Sequence, residues 1–195
     1  MALLMERGQS SGPKKNFHLN IGQLFACREA AVLQTLLGAC VSACLYDPVA
    51  KVGGMNHILL PGKADMTTFN DNARYGVNAM ELLINEMCKL GASRFRLLAK
   101  IFGGARVLPG LGVENSPGEK NIKFVIEYLQ MEKIRLLGQD TGGFWTRIIQ
   151  FHTDSFEVFV KKIQSSVAAT LLAEEENYRK HLAEKAAKDS DVTLF

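Results

Sequence analysis

From Cys40 to Tyr46 the chain alternates, with Cys40, Ser42, Cys44 and Tyr46 on one side and Val41, Ala43 and Leu45 on the other. That is the period of a short strand. Asp47-Pro48 breaks the pattern. Proline presets φ and aspartate bonds its own backbone, so a second strand from about Lys51 to Leu60 is expected to return antiparallel. Upstream, His18, Asn20 and Gln23 interleave with apolar residues between Asn16 and Arg28, predicting an initial strand that feeds a second at about Val32 to Leu36. Tyr75, Val77, Met80, Leu83, Ile84, Met87 and Leu90 recur at mostly helical spacing through Asp71 to Leu90, and Gly91 stands where a helix C-cap belongs. Arg94 to Phe102 reads as a buried strand ending at Gly103-Gly104, followed by a Gly/Pro loop from Leu108 to Gly118 and a helix over Asn121 to Glu132. Three more strands are expected at Ile134 to Leu137, Trp145 to Phe151 and Phe156 to Ile163. Beyond Gln164 the pattern turns helical, and Glu174 to Lys188 is charged on most faces, as a solvated or partner-bound helix would be.

Helices alternating with groups of strands argue for α+β layers: a sandwich of mixed, largely antiparallel sheet with helices packed outside. The expected organisation is a mobile leader over 1–15, one domain over 16–163 and a charged helical extension over 164–195.

The hairpin carries the candidate chemistry. If Asp47 to Ala50 form a four-residue loop, Cys40 directly opposes His57 on one face; a five-residue loop would put them on opposite faces. A thiol beside an imidazole is the minimal unit of a thiol hydrolase, because the imidazole takes the thiol proton and later gives one to the leaving group. Buried cysteine is more often a small hydrophobe, and Cys27, Cys44 and Cys88 are read that way. For Cys40 two features weigh against that reading: Gly38-Ala39 before it allow backbone N–H groups near a bound carbonyl, and Gly53-Gly54 before His57 suggest space kept open.

Composition narrows the field. An apolar content of 47% over 195 residues supplies one core, and a net charge of +3 with scattered basic pairs gives no nucleic-acid footprint. Cys40 and Cys44 lack a second pair or the histidine spacing of a zinc site, so no metal or cofactor is expected. Gly103-Gly104 and Gly142-Gly143 lack the spacing and lysine of a phosphate loop. No apolar run spans a bilayer and no signal-peptide order is seen, so a cytoplasmic protein with reduced thiols and no membrane insertion is expected. Asp140 is placed to orient a basic group or cap a turn.

The stretch TLLGACVSACLYDPVAKVGGMNHILLP at 35–61 closely resembles the signature of the CheD family, chemoreceptor glutamine deamidases of bacterial and archaeal chemotaxis. The likeness continues through Tyr75 and its helix, Ala99 to Ala105, Gly118 to Asn121 and Asp140 to Gly143, covering roughly 17–163. The resemblance implies a thiol-hydrolase-like fold with Cys40 as nucleophile and His57 as its base. It also implies a threonine just before the cysteine motif as third member: Thr35, or Gln34 in its place if the spacing differs by one residue. The implied substrate is a glutamine on cytoplasmic chemoreceptor helices, and some family members also remove methyl esters from the same sites. A second reading is a regulatory binding module for the phosphatase CheC, with little turnover.

Overall fold

The computed structural model describes residues 14–60, 66, 71–106 and 116–163, with 173, 177, 178, 180 and 181. Most of the expected leader, of the loop from Leu108 and of the extension from Gln164 lies outside the described residues.

Strands β1 (Lys15–His18), β3 (Ala31–Leu37), β8 (Thr146–His152) and β9 (Glu157–Ile163) form one sheet in the order β1-β3-β8-β9. A second sheet runs β2-β5-β4-β6-β7, from β2 (Leu24–Cys27), β5 (Val52–Asn56), β4 (Val41–Asp47), β6 (Leu98–Gly103) and β7 (Arg135–Thr141). Only β1·β3 and β6·β7 are parallel among these pairs. Helices α1 (Asp71–Lys89) and α2 (Pro117–Met131) cover the outer face of the five-stranded sheet. The expected α+β layering is what the chain adopts, as sheet, sheet and helices.

The alternation in β4 explains the layers. Val41, Ala43 and Leu45 pack with Met80, Leu83, Ile84, Met87, Phe124 and Val125 of the helices. Cys40 and Cys44 turn the other way, toward Leu33, Leu37, Ile149 and Phe151 of the four-stranded sheet. Each face of this strand is buried in a different core, so it carries almost no polar surface.

Several sequence expectations are corrected. The strand expected over Asn16 to Arg28 is two strands in different sheets, because Asn20 to Gln23 turn the chain, with Gly22 at φ 80°. Arg94–Arg96 is a 3-10 turn rather than strand. Arg94 bonds Glu81 and Glu132 while Arg96 bonds Asp47, so two residues that a strand would aim alike are drawn to separate acids. Strand β7 runs past Leu137 through Gly138, Gln139 and Asp140, since an edge strand tolerates the polar residues at which the apolar pattern stops. Helix α2 starts earlier than expected, at Pro117, where proline's fixed φ suits a first turn.

The hairpin register also differs from expectation. The loop is Pro48 to Lys51, with Lys51 at φ 53°, and Asp47 stays in the ladder opposite Val52. Asp47 is held there by bonds from the Val49, Ala50 and Ser93 N–H groups and from the Arg96 guanidinium. Tyr46 therefore pairs with Gly53, Cys44 with Met55 and Val41 with Ile58, a shift of two residues. A two-residue shift preserves side-chain parity.

The glycines before His57 serve packing rather than open space. A Cβ on Gly53 would lie 2.8 Å from Cβ of Thr153, and one on Gly54 would lie 2.8 Å from Cδ1 of Leu83. The two positions let β5 approach the β8–β9 turn on one face and α1 on the other.

Candidate active site

Three strands bring the sequence-predicted residues into the layer between the sheets. Along β3, Leu33, Thr35 and Leu37 point inward, while Gln34 points out and bonds Gln150 at the surface. His57 follows β5, and its backbone is clasped by the turn after β1: His57 N–H donates to the Gln23 carbonyl and Gly22 N–H donates to that of His57. Cys40 precedes β4 and packs in the same layer. Continuing the observed register places Cys40 and His57 on one face of the hairpin.

The hydrogen bonds around His57 place the imidazole proton on Nδ1. Thr35 Oγ1 donates its single hydrogen to the Leu19 carbonyl at 2.7 Å. The same oxygen lies 2.8 Å from His57 Nδ1, so it accepts there, and Nδ1 carries the hydrogen. The Leu19 carbonyl, 3.4 Å from Nδ1, can only accept and agrees with that tautomer. His57 Nε2 then holds the lone pair; it is buried, with no hydrogen-bond partner among the described residues. Burial pushes the imidazole down to about 4 from its ordinary 6.5, the Leu19 carbonyl opposing the fall and His18 adding to it. At neutral pH the ring is an uncharged base.

The surroundings are close. Cys40 is 0% exposed and His57 4%. Tyr75, near enough to Cys40 to feel a charge on its thiol, is raised by burial and by its hydrogen bond with Tyr178. The two tyrosine hydroxyls lie 3.1 Å apart, and the Tyr178 hydroxyl rests where a Cβ of Gly22 would be. Thus a residue from beyond β9 packs over the turn that clasps His57.

Other candidates fall elsewhere. Cys44 is fully buried, which pushes its thiol up. Cys27 is buried against Thr153 and the Glu29 carbonyl, and Cys88 is half-buried beside the helix-facing core. Asp140 orients the buried Arg147 and also pairs with Lys162. His18 and His181 are exposed, and His152 contacts Lys14 and the Phe159 ring. No helix among the described residues is long and apolar enough to cross a membrane. The sequence reading missed the Leu19 carbonyl, which has no side-chain signature, and the approach of Tyr178 from far along the chain.

A buried thiol and a base-form imidazole between two sheets are the equipment of a cysteine hydrolase. Comparison with known proteins narrows this. The CheD family model, CheD chemotactic sensory transduction, matches residues 59–162. A Shewanella oneidensis protein named "Probable chemoreceptor glutamine deamidase CheD 1" is 46% identical over 177 residues, covering 89% of this chain and 84% of its own. Proteins of Chromobacterium violaceum and Methylobacillus flagellatus named likewise as CheD deamidases are each 44% identical, over 89% of this chain and 87% and 86% of theirs. Alignments of that extent take in the whole 35–61 stretch, most of which lies upstream of the family-model match. The chain belongs to the CheD family. Among solved structures, the hypothetical protein YfiH of Bacillus licheniformis matches 60% of this chain and 49% of that chain, at TM-score 0.38 and 14% identity.

Proposed function

We propose that the protein is a cytoplasmic protein-glutamine deamidase that converts glutamine side chains on chemoreceptor helices to glutamate. The observation that carries the chemistry is the His57 tautomer: Thr35 holds Nδ1–H, leaving the Nε2 lone pair without a partner in the layer that also contains Cys40.

In this reaction His57 Nε2 takes the Cys40 proton, and the thiolate adds to the side-chain carbonyl carbon of glutamine. Backbone N–H groups near Ala39 and Cys40 receive the oxyanion, a contribution that in other hydrolases is worth about 100- to 1,000-fold per donor. The tetrahedral adduct collapses by breaking its C–N bond, and the imidazolium protonates the departing ammonia. Water then gives a proton to Nε2 and adds to the thioester. Expulsion of the thiolate, reprotonated by His57, leaves glutamate. Thr35 keeps the ring in the working tautomer throughout and stabilises the Nδ1–H side of the imidazolium.

The test is incubation with a receptor cytoplasmic fragment, following ammonia release and the mass change at each glutamine, for wild type and Cys40→Ala. Turnover lost in Cys40→Ala is expected. Turnover retained would overturn the assignment, and binding without turnover in the wild type would favour the CheC-binding module instead.

A further inference from the structure

Asn121, in the first turns of α2, is 1% exposed and uses both ends of its amide. Its Oδ1 accepts from the Leu60 N–H at 3.0 Å, and its Nδ2 donates to the Ala39 carbonyl at 2.8 Å. Those two backbone groups are the ones the β4–β5 ladder would join next. Val41 and Ile58 exchange both of their bonds, at 2.9 and 2.8 Å. Such pairs recur at every second residue of an antiparallel ladder, so Ala39 and Leu60 form the following pair. The Asn121 amide stands between them like an inserted peptide unit. It holds the strands apart beside Cys40 on one of them and just past His57 on the other.

The carbonyls on either side are fixed too. That of Gly38 accepts from Ala105 N–H at 2.8 Å and that of Cys40 from Gly104 N–H at 2.7 Å. Gly103 permits the second contact: at φ 106°, a Cβ there would come within 2.2 Å of the Cys40 oxygen. Because a peptide unit is planar and trans, anchoring the Ala39 carbonyl also fixes the direction of the Cys40 N–H, which points the opposite way.

We infer that Asn121 is a positioning residue of the deamidase site: its inserted amide keeps the two strands spread and so sets the spacing between the Cys40 thiol and the His57 imidazole. The inference rests on the reading of Cys40 and His57 as the reacting pair. Asn121 itself touches no substrate. Without its amide, the Leu60 N–H and Ala39 carbonyl either zip together or stay buried without partners, and both change the thiol–imidazole spacing.

The test uses full-length Asn121→Ala and Asn121→Asp with the receptor fragment. The aspartate still accepts from Leu60 but presents an oxygen where Ala39 needs a donor, so both variants are expected to behave alike. Misplacement of this kind costs about 100-fold in kcat, with KM within about threefold of wild type. The pH midpoint of Cys40 alkylation by iodoacetamide is expected to move as well, which a merely structural role would not cause. The isosteric aspartate carries the test if the alanine variant does not fold. Wild-type kcat, or an unmoved alkylation midpoint, in a folded variant overturns the role. Cys40→Ala run in parallel separates the two failures: if it stays active, the reading of the whole site falls; if it is inactive while both Asn121 variants turn over normally, only the role of Asn121 falls.

Discussion

Replacing Thr35 by valine removes one hydroxyl and little volume, and two buried groups feel the loss. The Leu19 carbonyl loses a donor at 2.7 Å, and His57 Nδ1–H loses an acceptor at 2.8 Å. What remains for the ring is the Leu19 carbonyl at 3.4 Å, which the imidazole meets only by swinging away from its present position. One buried hydrogen bond of about 1–2 kcal/mol, charged to orientation and tautomer, corresponds to about 5- to 30-fold in kcat. Thr35→Ser keeps the hydroxyl and is expected to keep most of the activity. Gln34→Ala alters only the outer face, where Gln34 bonds Gln150, and is expected within about twofold of wild type. Ammonia release from the receptor fragment, at saturating and limiting substrate, measures all three. A folded Thr35→Val at the wild-type rate, or Gln34→Ala as impaired as Thr35→Val, would refute this account of how the ring is held.

Protonation of His57 is put off until about pH 4 in the folded chain, whereas the unfolded chain takes the proton near 6.5. Unfolding therefore binds a proton within that window, so stability of order 3 kcal/mol is present in full above pH 6.5 and is lost as pH falls toward 4. Denaturant titrations of wild type and His57→Gln at pH 7 and 4.5 should differ in this way, and a parallel pH dependence in both would remove the cause. The acid limb of kcat/KM should likewise lie below pH 6; a limb at 6.5 would mean a solvated imidazole. Burial alone would raise the Asp47 carboxyl, but bonds from Arg96, Ser93, Ala50 and Val49 outweigh it and bring it to about 2. Asp47→Ala is thus expected to destabilise the fold by about 2–4 kcal/mol in denaturant melts, and a change below about 0.5 kcal/mol would show the hairpin register to be set elsewhere. Tyr178→Ala should speed iodoacetamide labelling of Cys40 severalfold, read by peptide mapping, because it removes a ring packed beside Tyr75 and Gly22; an unchanged rate would mean that the cover over the thiol lies elsewhere.

Residue spacing alone carries the periodic elements. The helix from Asp71, the alternation of β4 and the cores of β8 and β9 are written in residue spacing, because burial of one face imposes a period on the chain. The same spacing placed Cys40 and His57 on one face of a hairpin, and that parity survived a one-residue displacement of the loop, which shifts the register by two. Tertiary structure decided what depends on groups distant in the chain. Whether Asp47 belongs to the loop turned on Ser93 and Arg96. Whether Thr35 or Gln34 meets the imidazole turned on which face of β3 looks at the second sheet, and the imidazole tautomer turned on a backbone carbonyl at Leu19, which no side-chain pattern can announce. Gly53 and Gly54 looked like space left for a ligand, and only packing against Thr153 and Leu83 showed them filled. A one-dimensional pattern records which faces are hidden from water, while register, proton position and close contact are fixed by whatever lies across the gap.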